Sequence, residues 1–378
     1  MFVKEEVEVL NTQITKMGSY PDEDVTFLLK DLSDISMEKS TTEREQAIQQ
    51  GTHYSEMLPI EYKPTDEYMS LFYRSLEDTK HKVAVAVGIV AEQIIAERGF
   101  NVALVSLARA GTPIGVLIKR YISYKYNREL PHYSISIIRD RGIDDQALDY
   151  IRNAHPEHEI TFIDGWTGKG AITKELTKSV SQYNETNGTT LSSKLAVLAD
   201  PGDCSELYGT REDFLIPSAC LNSTVSGLVS RTILNSKWIN DGDFHGGKYY
   251  SELLSEDVSN LYVDTICTQF PLIESAVDKG LSEMMKESQK PQWKGLTSIE
   301  NIQRDYIMDN TNFIKPGVGE TTRVLLRRVP WKILVHPDAE MNLEHILVLA
   351  RERGVPIEEY TDMSYSCCGL IQPLENKT

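Results

Sequence analysis

The chain has 378 residues, of which 40% are hydrophobic and 25% charged, a composition typical of a soluble globular protein with two or three domains. Its net charge of −17 excludes nucleic-acid binding through the overall field, so any RNA contact must come from a local basic patch. We find no run long enough to span a membrane and no signal-peptide core, and the five irregularly spaced cysteines do not form a disulfide framework, so we expect a cytoplasmic protein.

Strand-like and helical segments alternate along the chain. We expect residues 1–80 to be helical with polar loops, and 83–98 to form an apolar helix. Apolar, strand-like runs then lie at 102–107, 133–138, 160–163, 194–199 and 214–216, and helices follow the first three of them. This alternation predicts an α/β fold with a mostly parallel, doubly wound sheet, whose ligands lie beyond the carboxyl ends of the strands.

The first loop of that predicted edge follows residues 102–107. Thr112 suits the N-cap of the next helix, and the small residues Ala108, Ala110 and Gly111 leave backbone amides open to an anion. Arg109 adds a planar guanidinium, so the loop suits a pyrophosphate group. A tight turn with a surface arginine is the alternative.

A charged turn follows the second predicted strand. Arg139 and Arg141 flank Asp140 there, and two arginines so placed would clamp a polyphosphate. A solvated turn is the alternative.

The glycine-rich loop after residues 160–163 is the most informative segment. Asp164 ends the strand, and a helix begins after Gly170. The residues expected to hold a phosphate are Gly165, Thr167, Gly168, Lys169, Gly170 and Thr173. Asp164 suits sugar hydroxyls or Mg²⁺. The spacing does not fit a nucleotide P-loop, and an ordinary glycine-rich turn is the alternative.

Later loops offer further polar side chains at the same predicted edge. We expect an acceptor pocket from Asp200, Asn222, Ser226, Arg231 and His245, against a bland alternative of turn residues and helix packing. Asp203, Ser223, Ser230 and His53 are weaker candidates. A thiol nucleophile at Cys204 with His245 as its base is also conceivable, although nothing in the sequence places the two together.

A compact segment begins after a polar linker near residues 285–300. It is predicted to contain helices at 320–328 and 343–352 and strands at 331–335 and 355–357. Glycines at a helix N-terminus allow an RNA backbone to approach, and nearby basic side chains can contact its phosphates. The expected RNA-binding residues are Gly317, Gly319, Arg323, Arg327 and Arg328. A solvated basic face is the alternative.

Two resemblances follow from these motifs. The loop 164–170 resembles the PRPP loop of type I phosphoribosyltransferases, although it carries one acid where that family usually has two. Residues 310–373 resemble the Pelota- and L7Ae-like RNA-binding domain. Together with residues 51–59 and 106–113, they resemble a bacterial family of tellurite-resistance and stress-response operons, described as a divergent phosphoribosyltransferase fused to a Pelota-like domain and also labelled the cysteine protease StiP.

The resemblance implies a phosphoribosyltransferase-like domain at 1–295 and a Pelota/L7Ae-like domain at 300–378. It further implies a reaction in which PRPP, or a related phosphoribosyl compound, binds with Mg²⁺ and loses pyrophosphate at C1. Asp164, Arg109, Arg139 and Arg141 would then be catalytic. The alternatives are a cysteine protease, and a catalytically inactive nucleotide sensor that presents an RNA-binding domain. Oligomeric state does not follow from the sequence.

Overall fold

The computed structural model describes residues 15–286, 290–327 and 329–372. A parallel sheet forms the centre of residues 15–286, which we call the larger region. A four-stranded sheet forms the centre of the C-terminal domain, which comprises the described residues from 290 onward. Within the described residues no helix is both long and apolar enough to cross a bilayer.

The central sheet is built from strands that the sequence marks by apolar runs. Its spatial order is β1-β6-β5-β8-β9-β10, and all five of these pairings are parallel. The strands are β1 (Thr26–Phe27), β5 (Val102–Ala108), β6 (His132–Ile138), β8 (Glu159–Trp166), β9 (Leu195–Ala199) and β10 (Leu207–Thr210). A short β7 (Gly142–Ile143) pairs antiparallel with β6.

Helices cover both faces of this sheet, which confirms the predicted α/β architecture. On β5, Val102 and Leu104 face one apolar core while Ala103 and Val105 face the other, as the two-residue period of a strand requires. The first core is covered by α2 (Asp66–Arg98), α3 (Gly111–Tyr126), α6 (Ser259–Cys267) and α7 (Glu274–Met284). The second is covered by α4 (Asp145–Ala154) and α5 (Ala171–Asn187).

The region before α2 differs from the prediction. Residues 15–65 contain a single α-helix, α1 (Thr41–Gln49), which Ser40 and Glu43 close with a capping box. The rest is irregular chain with short strands, which are β2 (Lys30–Asp31), β3 (Glu38–Lys39) and β4 (Leu58–Pro59). β2 pairs with β11 (Gly246–Gly247), and β3 with β4. The expected helical character is therefore wrong for 15–65, and residues 1–14 lie outside the described residues.

The C-terminal domain is a second α/β unit. Its sheet has the order β12-β15-β13-β14. The strands are β12 (Ile314–Pro316), β13 (Lys332–Val335), β14 (Ile357–Glu359) and β15 (Cys367–Leu370), and the helices are α8 (Lys294–Asp305), α9 (Gly317–Arg327) and α10 (Glu344–Glu352).

This domain packs against the carboxyl edge of the central sheet. Asp213, which follows β10, accepts the backbone amides of Val318 (2.9 Å) and Ser366 (2.8 Å). The hydroxyl of Tyr365 donates to the carbonyl oxygen of Gly168 at 3.1 Å. Burial raises the pKa of Asp213 to about 6, against the lowering effect of those amides. Two domains therefore meet at the edge where a parallel sheet presents its ligand-binding loops.

Candidate functional site

The glycine-rich loop lies between β8 and α5. Gly170 occupies the N-cap position with φ of +75°, and no side chain caps the helix. A Cβ at Gly170 would come within 2.3 Å of Cζ3 of Trp293, so a larger residue does not fit. The first-turn amides of α5 have no intrahelical acceptor, which leaves them free for an external anion.

A cleft of about 680 Å³ opens in front of this loop. One wall is the loop with Asp164 beneath it. The second wall comes from the segment at 51–54 and from Arg139 and Asp140. The C-terminal domain supplies the third wall through Asn312, Lys315, Pro316 and Glu320. Of the predicted phosphate residues, those that line the cleft are Thr167, Gly168, Lys169, Gly170 and Thr173.

Two ionisable groups in the cleft have strongly shifted pKa values. Burial raises the pKa of Asp164 to about 7, and its one opposing contact is the amide of Gly165 at 2.8 Å. Burial, aided by the neighbouring Lys315, lowers the pKa of Lys169 to about 8. Shifts of this size in a cleft mark a candidate functional site. The described residues contain no group of three or more His, Cys, Asp or Glu side chains that could hold a metal ion, so Mg²⁺ at Asp164 stays a prediction.

The charged turn contributes one arginine to the cleft. The amide of Arg139 donates to the hydroxyl of Tyr54 at 2.9 Å, and its guanidinium lies over that ring. Arg141 instead pairs with Glu56 at 2.8 Å and does not line the cleft. The predicted clamp of two arginines is thus reduced to Arg139, because Glu56 holds the other.

The predicted pyrophosphate loop does not line this cleft. The hydroxyl of Thr112 lies 2.7 Å from the Ser134 hydroxyl inside the protein. A Cβ at Gly111 would meet the carbonyl oxygen of Ile163 at 2.3 Å, so this glycine permits helix–sheet packing. The rest of this turn does not line the cleft either, which applies to Ala108, Arg109 and Ala110.

The predicted acceptor residues do not form one pocket. Asp200 is fully buried and accepts the Cys204 and Ser205 amides. Arg231 donates to the carbonyl oxygens of Tyr54 (2.6 Å) and Met57 (2.9 Å).

The remaining members of that set also have internal partners. His245 contacts the hydroxyl of Ser136 at 2.8 Å, and Ser226 donates to the carbonyl oxygen of Asn222 at 2.9 Å. The weaker candidates behave alike: Asp203 pairs with Arg211, Ser223 donates to Glu61, and Ser230 donates to the carbonyl oxygen of Arg231. Each of these polar groups has a hydrogen-bond or ion-pair partner inside the fold, so it supports the structure instead of lining a pocket. The sequence does not reveal such partners.

Cys204 and His245 are far apart. Cys204 follows β9, whereas His245 packs on β6, and β5 and β8 lie between those strands. Three strand spacings correspond to about 14 Å. No hydrogen bond joins a cysteine to a histidine among the described residues. Burial raises the pKa of Cys204 to about 12, so this thiol is protonated at neutral pH.

The glycines of α9 pack against the larger region. Gly317, at φ of +83°, begins the helix beside Asp213, and a Cβ at Gly319 would touch Ala219 at 3.4 Å. Arg323 and Arg327 turn toward Asn222, and Arg328 lies outside the described residues. Three further residues at this junction are not marked by any local pattern: Lys315 and Asn312 line the cleft, and Asp213 accepts amides of the C-terminal domain. Their positions depend on the packing of segments that are far apart in the sequence.

Comparisons with known proteins match two parts of the chain. A family model described as "Tellurite-like stress resistance cysteine protease StiP" matches residues 18–267. A model of the PELOTA RNA binding domain matches residues 293–373. The protein named "Cysteine protease StiP" from Acinetobacter baylyi (strain ATCC 33305 / BD413 / ADP1) is 34% identical over 368 residues, which cover 94% of each chain.

These findings correct the predicted activity. Both the family description and the relative's name specify a cysteine protease, and neither mentions phosphoribosyl transfer. The predicted phosphoribosyltransferase function, with PRPP as its ligand, is therefore wrong. A glycine-rich βα loop does not by itself specify one chemistry, because such loops serve many.

Proposed function

The chain belongs to the StiP family of tellurite-like stress resistance proteins, and we propose that it is a cysteine protease with Cys204 as its nucleophile. The family model covers three cysteines, namely Cys204, Cys220 and Cys267. The single observation that favours Cys204 is its contact with the cleft wall, since its Sγ lies 3.8 Å from the carbonyl oxygen of Gly168. The free thiols also fit the reducing cytoplasm that we propose as its location.

Activation of this thiol requires the loop to move. A nucleophilic cysteine acts as the thiolate, but Cys204 is 1% exposed and donates to the carbonyl oxygen of Gly202 at 3.1 Å. Lys174 and Arg211 are the nearby cations that favour its deprotonation, and they are outweighed by burial in this conformation. Displacement of residues 168–170 would expose the sulfur to a peptide in the cleft.

A neutral histidine is available at the cleft wall. His53 lines the cleft, and burial together with the nearby Arg141 lowers its pKa, which favours the neutral ring. His53 lies beside the turn at 139–141 that follows β6, so it does not contact Cys204 in this conformation. We propose that opening of the loop brings the sulfur to this wall, where the ring takes the thiol proton. The thiolate would then attack a peptide carbonyl, and the protonated His53 would give its proton to the leaving amine as the C–N bond breaks and a thioester forms. Water would hydrolyse the thioester to a carboxylic acid and restore the thiol.

The test compares peptide hydrolysis by single-cysteine variants. Release of fluorescent peptides from labelled, unfolded casein should be lost in Cys204→Ala and strongly reduced in His53→Gln. Cys220→Ala is the matched control, because Cys220 is equally buried but contacts Ser75 on α2. Equal hydrolysis by Cys204→Ala and the wild type, or none by the wild type, would overturn the assignment.

The cleft favours a second candidate function, the binding of a nucleotide phosphate without turnover. The uncapped N-terminus of α5 faces Lys169 and Arg139, and Oγ1 of Thr173 is buried without a hydrogen-bond partner among the described residues. A rise in melting temperature with nucleoside diphosphate, absent in Lys169→Gln, would support it. The type I phosphoribosyltransferase-like topology remains a proposal about the fold alone, supported by the strand order and this loop.

We also propose that the C-terminal domain binds RNA, as the name of the matching model indicates. Arg323 and Arg327 on α9 are the described basic residues that support it. Fluorescence anisotropy of a labelled single-stranded RNA with the whole chain provides the test, since binding should weaken as salt rises.

A further inference from the structure

Three arginine side chains converge on one neutral oxygen at the junction of the two domains. Arg109, Arg323 and Arg327 donate to Oδ1 of Asn222 over 3.2, 3.2 and 2.7 Å. Arg109 lies in the loop after β5, whereas the other two lie one helical turn apart on α9. We call these three side chains with Asn222 the arginine cluster.

The arginine cluster carries more positive charge than its described neighbours cancel. Glu61 lies 3.9 Å from Arg109, and Glu320 lies 3.5 Å from Arg323. The Glu61 carboxylate is shared, since it also accepts the amide and hydroxyl of Ser223. Three guanidinium groups therefore face two carboxylates, in a chain whose net charge is −17.

The protonation equilibria reflect this crowding. Burial lowers the pKa of Arg109; Glu61 opposes this shift, and the neighbouring Arg323 adds to it. Neighbouring atoms packed around part of the exposed Arg327 side chain likewise lower its pKa, with added repulsion from Arg323 and Arg109, while Tyr68 raises it. Nε of Arg323 is buried and has no hydrogen-bond partner among the described residues. An added anion would relieve the repulsion and use donors that Asn222 cannot satisfy.

Solvent reaches all three side chains. Arg327 is exposed, and the side chains of Arg109 and Arg323 are 18% and 23% exposed. A guanidinium fork matches the oxygens of a phosphate group, which is a better acceptor than a neutral amide. The cluster therefore offers an anion a set of preformed donors at the surface.

We propose that the arginine cluster binds a phosphate group of an RNA backbone, so that the RNA surface extends from α9 onto the loop after β5. This inference rests on the proposed RNA binding by the C-terminal domain, which contributes Arg323 and Arg327. It adds Arg109 of the larger region to that surface, while Asn222 is the acceptor that occupies the three donors in the absence of RNA. A phosphate oxygen would replace Oδ1 of Asn222 as the shared acceptor, and bound RNA would bridge the two domains.

The experiment measures RNA affinity of the whole chain against salt. A labelled single-stranded RNA of about 16 nucleotides is titrated between about 50 and 200 mM salt. Arg109→Gln should bind about tenfold more weakly, and its plot of log affinity against log salt should be less steep by about 0.7, as expected for one lost phosphate contact. Arg152→Gln is the matched control, because Arg152 lies on α4, is 37% exposed and contacts Tyr183.

A second variant separates phosphate binding from structural support. Asn222→Ala removes the shared acceptor but keeps all three cations, so its RNA affinity should equal or exceed that of the wild type. Loss of binding in Asn222→Ala that matches the loss in Arg109→Gln would show that the residues only maintain the fold, and would overturn the inference.

The remaining outcomes distinguish a failure of the arginine cluster from a failure of the proposed RNA binding by the C-terminal domain. Absence of RNA binding by the wild type at low salt would refute RNA binding as a whole. Wild-type binding with an unchanged affinity and slope in Arg109→Gln would overturn the arginine cluster alone. Stabilisation by inorganic phosphate that disappears in Arg109→Gln, without any change in RNA affinity, would assign the site to a free phosphate compound and overturn the RNA assignment.

Discussion

Replacement of Asp164 by asparagine should stabilise the protein at alkaline pH but not at acidic pH. The carboxyl has a pKa of about 7 in the folded protein, against an ordinary value of 3.8, because it is buried at the base of the cleft. The protonated form is thus favoured by folding. Its contribution to stability is complete below about pH 4 and is lost as pH rises toward 7.

The size of the effect follows from the pKa shift. A shift from 3.8 to about 7 corresponds to about 4 kcal/mol above pH 7, and this figure is an upper limit because the cleft admits water. The asparagine side chain is close in shape to the native aspartate, and its amide oxygen could still accept the Gly165 amide. The expected gain in Asp164→Asn is near zero at about pH 4 and a few kcal/mol at about pH 8.

Urea unfolding of both proteins at several pH values measures this difference. Asp241→Asn serves as the control, because Asp241 is exposed in a loop and its replacement should change little at any pH. An Asp164→Asn effect that is constant with pH, or a destabilisation at about pH 8, would refute the reasoning. A pH-dependent gain would show that the chain retains a destabilising carboxyl in its cleft, which is a property of functional sites.

Three further predictions concern the loop and the domain junction. Gly202→Ala should lower the free energy of unfolding by about 1–3 kcal/mol, because its Cβ would lie 2.1 Å from the carbonyl oxygen of Gly168. Gly168→Ala is the control and should cost less, since the nearest atom to its Cβ is 3.8 Å away. Thermal unfolding of the two variants measures the difference. Asp213→Ala should lower the free energy of unfolding by about 2–4 kcal/mol, since it leaves the amides of Val318 and Ser366 without this acceptor. Amide hydrogen exchange in the C-terminal domain should accelerate, and unchanged exchange there would contradict the role of Asp213. Lys169 has a pKa of about 8, so more of it is the reactive neutral amine at about pH 7.5 than of an ordinary lysine. An acylating reagent should therefore label Lys169 before the exposed Lys279, which peptide mass spectrometry measures. Equal labelling of the two lysines would count against the pKa shift.

The architecture of the sheet was determined by local sequence. Apolar runs at 102–107, 133–138 and 160–163 became β5, β6 and β8, because each is a buried strand bounded by turn or helix-start residues. The final strand was predicted wrongly. Residues 214–216 are apolar but pack in the core beside α2, while Leu207–Thr210 pairs with β9. Composition identifies a buried segment, but pairing decides whether it is a strand.

The position of the glycine-rich loop also followed from sequence, since a loop after a parallel strand must lie at the carboxyl edge of the sheet. Its chemistry did not, because similar loops bind different ligands in different proteins. Only the tertiary structure brought Lys315 of the C-terminal domain to face Lys169, and gathered Arg109 with Arg323 and Arg327 around Asn222. These contacts join residues more than a hundred positions apart. Burial, hydrogen-bond partners and charge balance are properties of such long-range contacts, so they were decided by the packing of the two domains and not by any local pattern.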